Sequence, residues 1–168
     1  GLRAGATLLP GAAAAQQRQF GTNCDGLAYF PMAGTSSRRG LLCVNHEYVR
    51  YELSFIGQSQ STADRIAQRQ RWIAQYPQVV PFIQAAHGVS VLHLEKRSRG
   101  WQIGLGRPLT RRVTATTPCE ITGPARGAPL LRTAADPEGV RVLGTFANCA
   151  SGKTPWGTYL TAEENIDD

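Results

Sequence analysis

Residues 142–165 read VLGTFANCASGKTPWGTYLTAEEN. Short apolar and β-branched runs on either side of a small-residue centre predict strand, loop, strand, with strands over residues 142–146 and 157–162. The loop holds a single cysteine, Cys149, in a turn of small residues, and fifteen positions on, Glu164 follows Glu163. Such a unit can carry a thiolate and a carboxylate to one end of a sheet. Soft sulfur beside hard oxygen suits a transition metal such as iron or zinc. Adjacent strand residues point to opposite faces, so at most one of the two glutamates aims into a given site. Cys149 also fits two other roles, an inert buried packing residue or a nucleophile with His46 or His87 as base. Nothing in the spacing brings either histidine close.

Upstream, the same reading gives strands at residues 27–30 and 41–44, with a turn at Asp25–Gly26 before the first. Asn45, His46, Glu47 and Tyr48 close the second, and oxygen and nitrogen donors at a strand end make a plausible metal corner. Residues 61–75 read as the best helix, with Ser61 or Thr62 as N-cap, Asp64 in the first turn, Ile66, Trp72 and Ile73 on its apolar face, and Pro77 at its end. A second helical piece over residues 79–86 is closed by Gly88. Residues 89–95 alternate as a strand and return through a turn as residues 101–105. His87 fits a helix end, and His93 fits strand packing. The fold expectation is mainly β, with strands joined by hairpins and a helical insertion near residues 61–86. That pattern suits a sandwich, barrel or propeller.

The 168 residues are enough for one domain with its own core. Eighteen glycines and ten prolines between short apolar runs favour strands and turns. No apolar run approaches the roughly 20 residues of a membrane span, so stable membrane association is not expected. The net charge of +6 comes mostly from scattered arginines, with no aromatic-interleaved basic run, which argues against nucleic acid as a partner. A basic surface is compatible with anionic substrates. The four cysteines form no C-x-x-C pair, which excludes a zinc ribbon or thioredoxin motif; three are expected buried and one functional. Gly152-Lys153-Thr154 lacks the glycine five positions earlier that a phosphate-binding loop needs, since Ala147 stands there. Residues 1–19 read as a disordered leader or the remnant of an export signal.

Five motifs in order carry a resemblance: GTNCDGLAYFP, GLLCVNHEY, AAHGVSVLHLE, TPCEITGPA and DPEGVRVLGTFANCASGKTPWGTYLTAEEN. Together they resemble the PhoX-type secreted bacterial alkaline phosphatases over residues 20–168. The resemblance implies a multi-bladed β-propeller with an iron–calcium cofactor that hydrolyses phosphomonoesters to release phosphate. It also implies a periplasmic or secreted location reached by the twin-arginine route, and a monomer when intact. Carried over motif by motif, it makes Cys149 an iron ligand, Glu164 a metal ligand and Glu47 a further metal residue, with Asn148 beside the substrate. Ser151 stands where glycine is common and Ala162 where cysteine is common; neither is a presumed ligand. Members of the family are several times longer. The expectation is therefore a partial propeller: residues 20–168 as the N-terminal part of a phosphatase domain, inactive alone. The rival readings are a non-catalytic propeller module that binds a partner, and a related propeller esterase or lactonase.

Overall fold

Three segments with apolar centres build the main sheet of the computed structural model: β1 (Cys24–Pro31), β2 (Arg39–His46) and β3 (Gly88–Arg97). The structure describes residues 10–49, 67, 70, 71 and 73–164. β1 pairs antiparallel with β2, and β2 with β3 along its whole length. The other edge of β3 is shared end to end: β4 (Gly100–Ile103) pairs with Leu94 to Arg97, and β5 (Arg111–Val113) with Val89 to Val91. Two further antiparallel pairs follow, β6 (Pro118–Glu120) with β7 (Arg141–Leu143), and β8 (Asn148–Lys153) with β9 (Tyr159–Glu163). The chain is mainly β, built of antiparallel sheets, as the alternating runs predict.

The helical insertion is present where it is described. Residues 67, 70, 71 and 73–75 are helical, whereas the expected caps Ser61 and Thr62, with Asp64, Ile66 and Trp72, lie outside the described residues. A later helix, α2, spans Val79–Ala86. Pro81 sits in its first turn, where a missing N–H breaks no intrahelical bond. Gly88 ends it with φ +96°, and a Cβ there would lie 2.1 Å from the Val113 carbonyl oxygen, so conformation and space both require glycine. Within the segment expected as a leader, Ala12–Gln16 form α1, which packs on α2 and buries Gln16.

Val49, Val79 and Ala86 form a small apolar cluster under Tyr76, Phe82 and Ile83. The sheet adds Ala28, Cys43, Val44, Val89 and Val91. Around them lies an unusual amount of buried polarity: Asn45, His46, Ser90, Thr114 and Asn148 are all at most 1% exposed. Large apolar side chains stand on the surface instead, including Leu130, Leu105 and Trp156.

Four local expectations are corrected. Asp25 and Gly26 lie within β1, at a register irregularity between Cys24 and Leu27, because pairing with β2 overrides the turn preference of Asp-Gly. Cys149 lies in strand β8, since the small residues there pair with β9. The strand expected over residues 142–146 stops at Leu143, where Gly144 and then Ala147 adopt positive φ. Of the four cysteines, Cys43 is buried, Cys24 is exposed and the other two are half-buried, so three buried thiols is an overestimate.

Candidate metal centre

The ends of β1, β2, β8 and β9 meet. A ligand atom from each of Asp25, Glu47 and Cys149 lies within 4.8 Å of the others. Atoms each about 2.0–2.6 Å from one cation can lie up to about 4–5 Å from one another, so this set fits a shared ion. Asp25 is delivered by the irregularity in β1, the kind of local kink that re-aims a side chain. Glu47 follows β2 directly, and its backbone N–H donates to the Asn23 carbonyl at 3.0 Å. Gly26 lets β1 approach β8: a Cβ there would lie 2.6 Å from the Cys149 carbonyl oxygen and 2.6 Å from Ser151 Oγ.

The Cys149 thiol donates to Asp25 Oδ2 at 3.0 Å. Its pKa is pushed up to about 12, first by that hydrogen bond, then by a second to Glu164, then by loss of solvent. Carboxylates crowded round a thiol hold its proton in place. A multivalent cation reverses that preference, since a coordinating thiol is deprotonated. The donor set of hard oxygens and one soft sulfur is therefore suited to a transition metal.

Three residues expected at a metal site, Cys149, Glu164 and Glu47, thus come together. Glu163 turns elsewhere, its Oε1 accepting from the Phe146 backbone N–H at 3.1 Å, as the alternation of strand faces requires. Asn148 is fully buried, its Nδ2 donating to Thr145 Oγ1 at 2.7 Å and Thr161 Oγ1 at 3.0 Å. His46 points away from the cluster, with its Nε2 2.7 Å from the buried Ser90 Oγ. His87 supports a helix end, its Nδ1 2.8 Å from the Ile83 carbonyl oxygen. Asp25 is the member that sequence reasoning missed. Its signal lay in the motif GTNCDG, where an acidic residue directly precedes a glycine able to take a close backbone approach.

Hydrogen bonds from one buried side chain tie these strands together. Asn45 is fully buried at the end of β2. Its Nδ2 donates to the carbonyls of Cys149 at 2.9 Å and Ala150 at 3.2 Å. Its Oδ1 accepts from the Tyr159 hydroxyl at 2.8 Å and from Thr161 Oγ1 at 3.0 Å. The Tyr159 hydroxyl is also 3.0 Å from the Gly26 carbonyl oxygen.

No curated protein matches the chain. Among solved structures, a Pseudomonas fluorescens PhoX in complex with vanadate, a transition state analogue, matches with a TM-score of 0.74 and 41% identity. The match covers 92% of this chain and 24% of that one, so this chain spans about a quarter of that protein's length. The family profile for alkaline phosphatase PhoX matches residues 2–168. With nearly every residue inside that profile, the chain belongs to the PhoX alkaline phosphatase family.

Proposed function

We propose that this chain supplies one corner of the metal centre of a phosphomonoesterase, and that Asp25, Glu47, Cys149 and Glu164 hold the metal. The observation that carries the reading is the convergence of two carboxylates and one thiol where four strands meet, with Glu164 hydrogen-bonded to that thiol, in a chain of this family. Iron suits the thiolate and calcium the carboxylates. When bound, such ions polarise phosphoryl oxygens and offset the charge that develops during transfer.

The chain's own residues have defined tasks in that scheme. Cys149 Sγ gives up the proton now shared with Asp25 Oδ2, so that both atoms become free to ligate. Gly26 keeps the Asp25 carboxylate close to the thiol by letting the two backbones touch. A place for Asn148 beside the substrate rests on the family resemblance alone, since its buried amide is engaged by Thr145 and Thr161. The 24% coverage of the matched PhoX supports residues 20–168 as part of a larger phosphatase domain, with the three antiparallel sheets as parts of propeller blades. The family supports action outside the cytoplasm after twin-arginine export, on phosphomonoesters and as a monomer. Among the described residues no helix is long and apolar enough to cross a membrane.

The test is elemental analysis and aryl-phosphate turnover of the full-length protein and its Cys149→Ser, Asp25→Asn and Glu164→Gln variants. Each should lose bound metal and at least about 10–100-fold in turnover, the range seen even for indirect partners of a metal. Variants with wild-type metal content and turnover would overturn the assignment.

A further inference from the structure

We propose that the Asn45 carboxamide is a positioning residue that sets where the Cys149 sulfur and the Asp25 carboxylate stand. The inference deepens the metal-centre reading and rests on it. Both amide hydrogens and the amide oxygen are engaged, in a side chain that is fully buried. The orientation of the amide is fixed by chemistry: flipped, its oxygen would face two carbonyl oxygens that have no hydrogen to offer. No other side chain of that size both donates to two carbonyls and accepts from two hydroxyls. Asp would set a carboxylate against the Cys149 and Ala150 carbonyls, and Leu would leave all four partners unmatched.

The two arms reach the two ligands separately. One arm grips the backbone carbonyl of Cys149 itself, at 2.9 Å. The other is the Tyr159 hydroxyl, whose single hydrogen is shared between Asn45 Oδ1 and the Gly26 carbonyl oxygen, one residue from Asp25. A third contact, through Thr161 Oγ1, reaches Asn148 Nδ2, the residue before Cys149. Asn45 also lies two positions before Glu47, so one carboxamide fixes β2 against the strands that carry the other donors. Ligand atoms held by their own backbones in this way keep their mutual distances before any ion arrives.

The experiment loads the metal-free full-length protein with Co(II) and follows the thiolate-to-cobalt charge-transfer absorption. Wild type should show a band that Cys149→Ser removes. Asn45→Ala, with an unchanged far-ultraviolet circular dichroism spectrum, should bind Co(II) roughly 10–100-fold more weakly, with the band weakened or displaced. If Asn45→Ala does not fold, Tyr159→Phe tests the Asp25 arm alone and should weaken Co(II) by roughly 5-fold, the worth of one hydrogen bond. A folded Asn45→Ala, or failing that Tyr159→Phe, with the wild-type band and affinity would overturn the positioning role while leaving the metal centre standing. A wild type without any Cys149-dependent band would overturn both.

Discussion

His46 makes stability depend on pH in a direction the structure fixes. Its imidazole is fully buried between Phe20, whose ring centroid is 4.4 Å away, and Ser90, with Cys24 Sγ 3.9 Å from Nδ1. Burial lowers its pKa to about 4, helped by the Arg112 guanidinium from β5 and by His87 at the end of α2. A cation held by the neighbouring Glu47 would push the same way. Above the unfolded value of 6.5, both states carry a neutral ring and the full stability is present. Between 6.5 and about 4 the unfolded chain takes a proton that the folded one refuses, so stability falls as pH falls. Below about 4 both are charged and the loss levels off. A gap of about 2.5 pH units corresponds to about 3 kcal/mol. Urea unfolding of the full-length protein at pH 7.5 and pH 4, compared with His46→Gln, isolates the contribution, because the other titrating groups are common to both proteins. Wild type should lose about 3 kcal/mol more than the variant over that interval. Equal losses, or an NMR titration of the folded His46 ring with a midpoint near 6.5, would refute the reasoning.

Two further outcomes are expected. Gly26→Ala places a methyl 2.6 Å from the Cys149 carbonyl oxygen, so β1 must retreat from β8. The variant should lose about 1–3 kcal/mol, as overpacked sites do, and at least about 10-fold in metal affinity, measured by thermal melting and Co(II) titration; unchanged values would show that the two backbones need not touch. Because the Cys149 thiol titrates only at about 12, metal uptake at neutral pH should expel its proton. Affinity should then rise by up to about tenfold per pH unit from pH 7 to 9. Calorimetry in buffers of different ionisation enthalpy checks this, and a proton count of zero would show that the sulfur stays out of the coordination sphere.

The parts of the fold set by local pattern were legible: β2 and β3 hold short apolar runs, and α2 falls where its apolar spacing and Gly88 place it. Cys149, Glu47 and Glu164 stood out as candidate donors through the motifs that resemble the family's, and the structure brings Glu47 and Glu164 each close to Cys149. Asp25 did not stand out, because Asp-Gly is a strong local turn signal, and only pairing of β1 with β2 and β8 overrides it. Cys149 was placed in a turn for the same reason: alanine, serine and glycine carry little strand preference, so β8 exists through its partner β9. Asn45 looked like part of a metal corner. Its actual partners lie far along the chain and no local pattern encodes them.

That distance has a consequence for synthesis. The bond from Asn45 to Cys149 spans 104 positions, and the one from Asp25 to Cys149 spans 124. Ribosomes release about 5–20 residues per second, so the first carboxylate is exposed for roughly 6–25 seconds before the sulfur exists. Contacts so remote in sequence also close late in folding, after local hairpins and helices. During that interval the early acidic residues offer only weak, unstructured binding to passing cations. Capture by the proposed donors must follow the docking of β8 and β9 onto β1 and β2, so an ion bound there would report that these four strands have come together.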